Sequence, residues 1–175
     1  MADLKISQLT ATTTPLAGSE VVPLVQSGTT KKVAVNRMVI GPSFSAYQSS
    51  AQAIASAFTP TKVQLQTEQW DTDAAFDSGV NYRFTPQVPG YYNVAAHVGV
   101  DASSFITVSL YKNSNLFKIL FNSYPTAWVD GGASALVYLN GSTDYIELYV
   151  TTGAALNLVA SEYYTWFQAS LARSA

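Results

Sequence analysis

The stretch Tyr82-Arg83-Phe84-Thr85-Pro86-Gln87-Val88-Pro89-Gly90-Tyr91-Tyr92 decides the fold of this chain. It consists of an aromatic segment, a turn bracketed by two prolines, and a second aromatic segment. Proline has no N–H to donate to a sheet ladder, and glycine adopts positive φ at little cost. The stretch therefore predicts a tight corner between two β-strands and excludes a helix at this point.

Strand-like runs surround the corner at short spacing. The predicted strands are Phe44 to Gln48, Lys62 to Trp70, Asn81 to Thr85, Tyr91 to Val100, Ile106 to Lys112, Leu116 to Phe121, Ala133 to Leu139, Tyr145 to Thr151 and Tyr163 to Leu171. Short strands separated by turn signals are typical of an all-β sandwich or barrel. The alanine-rich stretch from Gln48 to Ala57 is predicted as a loop or an extended arm.

Alternation of side chains within the strands predicts the core. Between residues 145 and 151, Ile146, Leu148 and Val150 share one face, because successive side chains of a strand point to opposite sides. Tyr145 and Tyr149 lie on the other face, toward solvent or toward a neighbouring subunit. A second predicted core face consists of Val94, Ala96, Val98 and Val100.

The pair Asn140-Gly141 is a strong hairpin signal, since both residues tolerate positive φ. We therefore predict that the strands on either side of it pair with each other. The sequence Asn140-Gly141-Ser142 also fits the glycosylation pattern, but the hairpin explains it better.

Gly41-Pro42 divides the chain into two predicted domains, residues 1–41 and 42–175. The first contains a small hairpin, with strands Val21 to Gln26 and Lys31 to Val35 and a turn at residues 27–30. A two-stranded hairpin alone is marginal in water. We therefore expect the first segment to be ordered by packing on another subunit or another protein.

The composition is poor in charge and rich in aromatic residues. Charged residues make up 11% of the 175 residues, hydrophobic ones 48%, and the chain contains 11 Tyr, 8 Phe and 3 Trp. A soluble domain has about 25% charged residues. We interpret the deficit as area buried between subunits, and the alternative is an unusually large uncharged polar surface. A net charge of -2 and the lack of a long apolar run argue against nucleic acid and membrane partners.

Residues that would support catalysis or a cofactor are scarce. The chain has no cysteine and one histidine, His97, which lies in a strand without a signalled triad partner. Asp71, Asp73 and Asp77 are candidate calcium ligands, but the spacing lacks the glycine turn and terminal glutamate of a calcium loop. We therefore expect a turn there, with no metal, no cofactor and no enzymatic activity. The tryptophans Trp70, Trp128 and Trp166 either stack on sugar rings or fill the core.

Residues 43 to 171 resemble, in order, the complement-type globular head of the tumour-necrosis-factor-like jelly rolls. The resemblance is carried by Phe76-Asp77, the Tyr82 to Tyr92 corner, Val108 to Asn113, Leu136 to Leu139 with Gly141, Asp144 to Leu148, and Phe167 to Leu171. In that family the last element usually reads F-x-G-x-L, whereas this chain has Ala169 in place of the glycine. The resemblance implies a ten-stranded jelly-roll sandwich that forms a compact homotrimer.

The implied trimer places aromatic side chains near a three-fold axis. The candidates for the trimer interface are Tyr145, Tyr149, Tyr163, Tyr164 and Trp166. The alternative for each of them is the core of the monomer.

The N-terminal segment carries a second resemblance. Lys5 to Leu9, Leu16 to Gln26 and Gly28 to Val33 look like the N-terminal module of many bacteriophage fibre and capsid-appendage proteins. The resemblance implies attachment of residues 1–41 to the phage major capsid protein or another virion protein. The attachment candidates are Val21, Val22, Leu24, Val25, Lys31, Lys32 and Val33. The alternative is an ordinary hairpin with solvated lysines.

Together these features predict a structural protein of a tailed phage particle, located in the virion and assembled in the cytoplasm of the bacterial host. We expect a trimeric capsid decoration protein, of the cement or head-fibre kind, because residues 1–41 contain neither collagen-like periodicity nor heptads to build a shaft. The alternative is the receptor-binding knob of a tail fibre, directed at a host surface glycan. A glycan hydrolase with paired carboxylates is a third, less favoured hypothesis.

Overall fold

A computed structural model describes residues 21–34, 41–124 and 130–175 of the chain. All regular secondary structure in these ranges is β-strand. They hold no helix with the length and apolarity needed to cross a bilayer. The chain separates into two compact units, Met1–Ile40 and Gly41–Ala175.

The described part of the first unit is a two-stranded hairpin. Strand β1 (Val21–Gln26) pairs with β2 (Thr29–Ala34) in antiparallel register. The turn consists of Ser27 and Gly28, whose φ angles are 52° and 75°. Positive φ at both central residues matches the right-handed twist of the flanking strands. The turn is thus shorter than the predicted four residues, because strand pairing extends to Gln26 and Thr29.

Of the fifteen strands in the described ranges, thirteen belong to the second unit. In chain order they are β3 (Ser43–Tyr47), β4 (Ala53–Ile54), β5 (Thr61–Lys62), β6 (Thr67–Asp71), β7 (Phe76–Asp77), β8 (Arg83–Phe84), β9 (Gly90–Gly99), β10 (Ile106–Lys112), β11 (Asn115–Ser123), β12 (Asp130–Leu139), β13 (Ile146–Thr152), β14 (Leu156–Asn157) and β15 (Trp166–Ser174).

These strands form two main antiparallel sheets. The front sheet has the order β12-β9-β15-β3-β6, and the back sheet has the order β11-β10-β13-β8-β7, with β5 also paired to β13. Strands β4 and β14 pair separately. The chain crosses repeatedly between the two sheets, which is the jelly-roll form of a β-sandwich. The predicted fold class is confirmed.

The core between the sheets is apolar and rich in aromatic rings. Phe44 lies at its centre, with ring centroids 4.5 Å from Phe76, 4.6 Å from Phe84 and 5.2 Å from Phe167. The predicted core faces are confirmed, since Ile146, Leu148, Val150, Val94, Ala96, Val98 and Val100 are all buried. Ala169 is buried as well, so alanine is accommodated where the related motif has glycine.

The predicted corner joins the two sheets. It leads from β8 in the back sheet to β9 in the front sheet. The buried Tyr92 donates a hydrogen bond of 2.7 Å to the carbonyl oxygen of Val88 within the turn. At the same place, the backbone N–H of Ala175 donates to the carbonyl oxygen of Pro89. The two prolines therefore lie where no ladder N–H is required.

Two predictions about strand pairing are wrong. Asn140-Gly141 does not close a hairpin, because β12 pairs with β9 in the front sheet and β13 pairs with β10 in the back sheet. The predicted strand from Lys62 to Trp70 is two strands in different sheets. Residues 63–66 cross between the sheets, where Val63 and Leu65 are buried in the core.

Candidate functional surfaces

The outward face of the front sheet is uncharged at its centre. At one end of this face, the guanidinium of Arg173 in β15 lies 5.6 Å from the ring centroid of Tyr91. The other outward side chains of the three middle strands are Tyr91, Asn93, Ala95, His97, Ser43, Ser45, Tyr47, Trp166, Gln168 and Ser170, and none of these described positions holds an aspartate, glutamate, lysine or arginine. A groove of about 280 Å³ opens on this face beside Trp70, which is 49% exposed. Aromatic side chains and the scarcity of charge at its centre are the features that this face shares with the centre of a protein interface.

His97 is held at the edge of this uncharged face. Its Nδ1 lies 2.8 Å from the carbonyl oxygen of Tyr164, so Nδ1 is the donor, because a carbonyl only accepts. Its Nε2 lies 3.6 Å from a carboxylate oxygen of Asp130, and its ring stacks on Trp166 at 6.0 Å. These contacts hold the imidazole ring beside the ring of Trp166.

The outward face of the back sheet is charged. Lys62 forms an ion pair with Glu147, whose side chain is only 2% exposed, and also donates to the carbonyl oxygen of Asn81. The guanidinium of Arg83 lies 4.4 Å from the ring centroid of Tyr145. Charges of this density favour contact with water over contact with an identical subunit.

A tyrosine pair completes the back-sheet face. The rings of Tyr111 and Tyr149 stack at 4.1 Å. Burial raises the pKa of Tyr149, and the charge of Glu147 adds to the effect. Both tyrosines are half-buried by their own neighbours on the sheet.

The five predicted interface aromatics lie in different parts of the sandwich. Tyr149 belongs to β13 of the back sheet and Tyr145 directly precedes it, whereas Trp166 begins β15 of the front sheet. Tyr163 and Tyr164 lie in the loop before β15, and both are exposed. A single contact on the front sheet would cover Trp166 but not Tyr149, which lies in the back sheet, nor Tyr145 directly before that strand.

The predicted acidic cluster forms turns. Asp71 accepts hydrogen bonds from the backbone N–H groups of Asp73 and Phe76, at 3.2 Å and 2.7 Å. Asp77 accepts from the N–H groups of Gly79 and Val80 and from the side chain of Asn81. Hydrogen bonds from Val80 and Asn81 lower the pKa of Asp77 to about 2. In the described ranges, no group of three or more acidic or histidine side chains is placed to hold a metal ion.

The predicted attachment residues occupy both faces of the hairpin. The register pairs Val22 with Val33 and Leu24 with Lys31, so these four side chains share one face. Val21, Val25 and Lys32 lie on the other face. Val21, Val22 and Val25 are exposed within this unit. A partner that covers one face would therefore contact about half of the predicted set.

Sequence patterns missed part of the front-sheet surface. The outward positions of β3 and β15, including Ser43 and Gln168, were not predicted as surface-site residues, because serine and glutamine carry no distinctive chemistry. The available signal was the run of uncharged residues at alternate positions in three strands. Trp128 lies outside the described residues.

Solved structures show the fold. No family model matches the chain, and no curated protein matches it. Murine APRIL is 13% identical, with a TM-score of 0.54 over 74% of this chain and 98% of that one. The globular domain of zebrafish complement 1qA is 15% identical, with a TM-score of 0.56 over 77% and 98%. Eiger TNF from S. frugiperda is 13% identical, with a TM-score of 0.57 over 78% and 94%. The second unit thus has the jelly-roll fold of tumour-necrosis-factor and complement head domains.

Proposed function

We propose that this chain is a structural protein of a tailed bacteriophage particle, a homotrimeric capsid decoration protein of the cement or head-fibre kind. The observation that carries the proposal is the contrast between the two sheets. The centre of the front-sheet face lacks charge, whereas the back-sheet face carries Lys62, Arg83 and Glu147. A protein that buries one face in self-assembly and exposes the other to water would have this distribution.

The occupant of the front sheet is a further copy of the same chain in this proposal. The resemblance of the sequence to trimeric head domains implies three copies around one axis, and the fold shared with those domains supports it. The exposed Trp70 and Leu136 border the uncharged face and would lose contact with water on assembly. Burial of such side chains is favourable by about 25 cal/mol per Å² of apolar surface.

The hairpin provides the attachment in this proposal. Its partner would be the major capsid protein or another virion protein, and the chain would reside in the virion after assembly in the host cytoplasm. Val22, Leu24 and Val33 form a short apolar stripe on one face, with Lys31 beside it. A stripe of this size gains stability by packing on a larger surface. The proposal assigns the chain no catalytic activity.

The alternative function is the receptor-binding knob of a tail fibre. The observation that favours it is a set of exposed aromatic rings at the end of the sandwich remote from Pro42, where the chain enters the domain. Phe58 and Tyr124 are 66% and 76% exposed there.

Copy number separates the two functions. Quantitative mass spectrometry of purified particles is expected to give this chain a stoichiometry comparable to that of the major shell protein. A handful of copies per particle would reject decoration and favour the tail fibre, and absence from the particle would reject both.

A further inference from the structure

Three adjacent strands of the back sheet carry aromatic rings at the same end. Tyr124 follows β11, Phe105 precedes β10, and Phe58 donates its backbone N–H to the carbonyl oxygen of Thr152, the last residue of β13. The ring centroids of Phe58 and Phe105 are 5.9 Å apart, and those of Phe105 and Tyr124 are 4.5 Å apart. We call Phe58, Phe105 and Tyr124 the aromatic ridge.

The ridge lies at the far end of the sandwich from the chain entry. Residues 100–105 connect the end of β9 to the start of β10, so the ridge is at the end of the domain where β9 finishes. Pro42 accepts a hydrogen bond from Leu171, which pairs with Tyr92 near the start of β9. With a rise of about 3.3 Å per residue, the length of β9 separates the two ends by about 30 Å.

The backbone at Phe58 is in a costly conformation. Its φ is 55°, in the left-handed region that bulky residues rarely adopt. The ring is 66% exposed, so core packing does not offset the cost. The hydrogen bond to Thr152 and the bond of 2.9 Å from Gly153 to the carbonyl oxygen of Phe105 fix the loops beneath the rings. A strained backbone that presents an exposed aromatic ring is a feature of binding sites.

The residues next to the three rings in the chain are uncharged, although Asp101 lies in the loop that leads to Phe105. The described residues that flank the rings along the chain, 55–60, 103–107, 122–124 and 151–155, contain no charged side chain. The hydroxyl of Thr107 donates to the side-chain amide oxygen of Asn122, which places hydroxyl and amide groups beside Phe105 and Tyr124. Aromatic faces bordered by such groups suit a ligand with apolar C–H faces and hydroxyl groups. They offer no counter-charge to an anion.

We infer that the aromatic ridge binds a neutral saccharide, through stacking of a pyranose ring on Phe58 or Tyr124 and hydrogen bonds to the amide and hydroxyl groups of the border. The choice of a host surface glycan as its source rests on the proposed location in a phage particle. In a decoration protein the ridge would hold the particle at the cell surface, and in a tail fibre it would form part of the receptor site.

The test uses the full chain and an array of neutral oligosaccharides of glucose, galactose, mannose and N-acetylglucosamine, together with sialylated and sulfated counterparts. Calorimetry then measures affinity for the best neutral glycan. Phe58→Gly removes one ring and relieves the positive φ, so we expect unchanged or higher thermal stability with binding at least tenfold weaker. Tyr124→Ala is expected to weaken binding similarly. Phe117→Ala removes an exposed ring elsewhere on the back sheet and should retain full affinity.

The inference is overturned if no neutral glycan binds, if only charged glycans bind, or if Phe58→Gly and Tyr124→Ala bind as the unmodified chain does. The copy number in particles is measured independently of glycan binding. Failure of the ridge and failure of the proposed location are therefore distinguishable.

Discussion

The hydroxyl of Tyr92 donates a 2.7 Å hydrogen bond to the carbonyl oxygen of Val88, four residues earlier in the chain. The bond fixes the turn between the sheets to the strand that follows it. Burial raises the pKa of Tyr92 to about 12, and the charge of Asp73 contributes, so the hydroxyl stays protonated as the donor at neutral pH. The side chain of Tyr92 thus stabilises the corner formed by its own stretch of sequence.

Removal of this hydroxyl tests how much the hydrogen bond contributes to the stability of the fold. Tyr92→Phe leaves the half-buried carbonyl oxygen of Val88 without its donor, and we expect a loss of about 1 kcal/mol in the free energy of unfolding. Urea denaturation followed by circular dichroism measures it. Tyr163→Phe, which removes the hydroxyl of an exposed loop tyrosine, serves as the control and should change stability little. Equal stability of the two variants would contradict the role of the bond.

The loop after β12 is predicted to lose stability when a side chain is added at Gly141. Gly141 has a φ of +69°, and a Cβ added there would lie 2.3 Å from the backbone nitrogen of Pro89. Gly141→Ala combines backbone strain with a clash against the corner, and we expect a loss of at least about 2 kcal/mol. At Gly79 the nearest atom to an added Cβ is 3.8 Å away, so Gly79→Ala is the matched control. Thermal unfolding measures the loss of stability in both variants, and a small loss for Gly141→Ala would contradict the predicted clash with Pro89.

The Lys62–Glu147 pair predicts a compensating double substitution. Lys62→Met leaves the buried carboxylate of Glu147 without its partner, and because Lys62 itself is partly exposed we expect a loss of about 2 kcal/mol. Lys62→Met/Glu147→Leu replaces both charges with apolar groups and should recover most of the loss. Urea midpoints of the single and double variants form the cycle. A double variant no more stable than Lys62→Met would show that the buried charge is not the cause.

The lowered pKa of Asp77 predicts a dependence of stability on pH. The folded-state pKa of about 2 lies below the ordinary aspartate value of 3.8, so the carboxylate stabilises the fold fully above about pH 4 and progressively less as the pH falls toward 2. Asp77→Asn should lower stability near pH 7 by about 1 kcal/mol, since the group is close to solvent. The difference from the unmodified chain should vanish near pH 2. Urea midpoints across this range measure it, and a difference independent of pH would contradict the assignment.

The uncharged front face predicts the effect of an added charge. Ala95 lies at the centre of that face, paired with Ser134 and Gln168 on the two neighbouring strands. Ala95→Arg should convert the expected trimer to a monomer in sedimentation velocity at micromolar concentration. Thr151→Arg adds the same charge to the back sheet and should leave the trimer intact. A monomeric unmodified chain, or an unaffected Ala95→Arg variant, would reject the proposed interface.

Local patterns predicted the fold because they report local chemistry. Alternation identified Val94 and Ile146 as core positions, and the two prolines located the corner. The same reasoning failed at Asn140-Gly141, because the amide oxygen of Asn140 accepts from the backbone N–H groups of Ser142, Thr143 and Asp144 and shapes a longer loop. Turn chemistry is local, whereas the choice of pairing partner depends on strands far away in the sequence.

The surfaces were harder to predict than the core. Alternation assigns Tyr149 and Trp166 each to an outward face, but it does not say to which sheet their strands belong. The sequence did not predict the aromatic ridge for a similar reason. Phe58, Phe105 and Tyr124 are separated by many residues in the chain and meet only because β11, β10 and β13 are neighbours.

The position of β15 between β3 and β9 affects how the protein is made. The middle of the front sheet is filled by the strand that leaves the ribosome after all the others described, so the β3–β6 pair and the β9–β12 pair are joined only after β15 is made. A chain interrupted before residue 166 lacks the central strand on which its neighbours pair. Only chains translated past β15 would present the complete front face, and the order of synthesis would thereby keep copies truncated before β15 out of the proposed assembly.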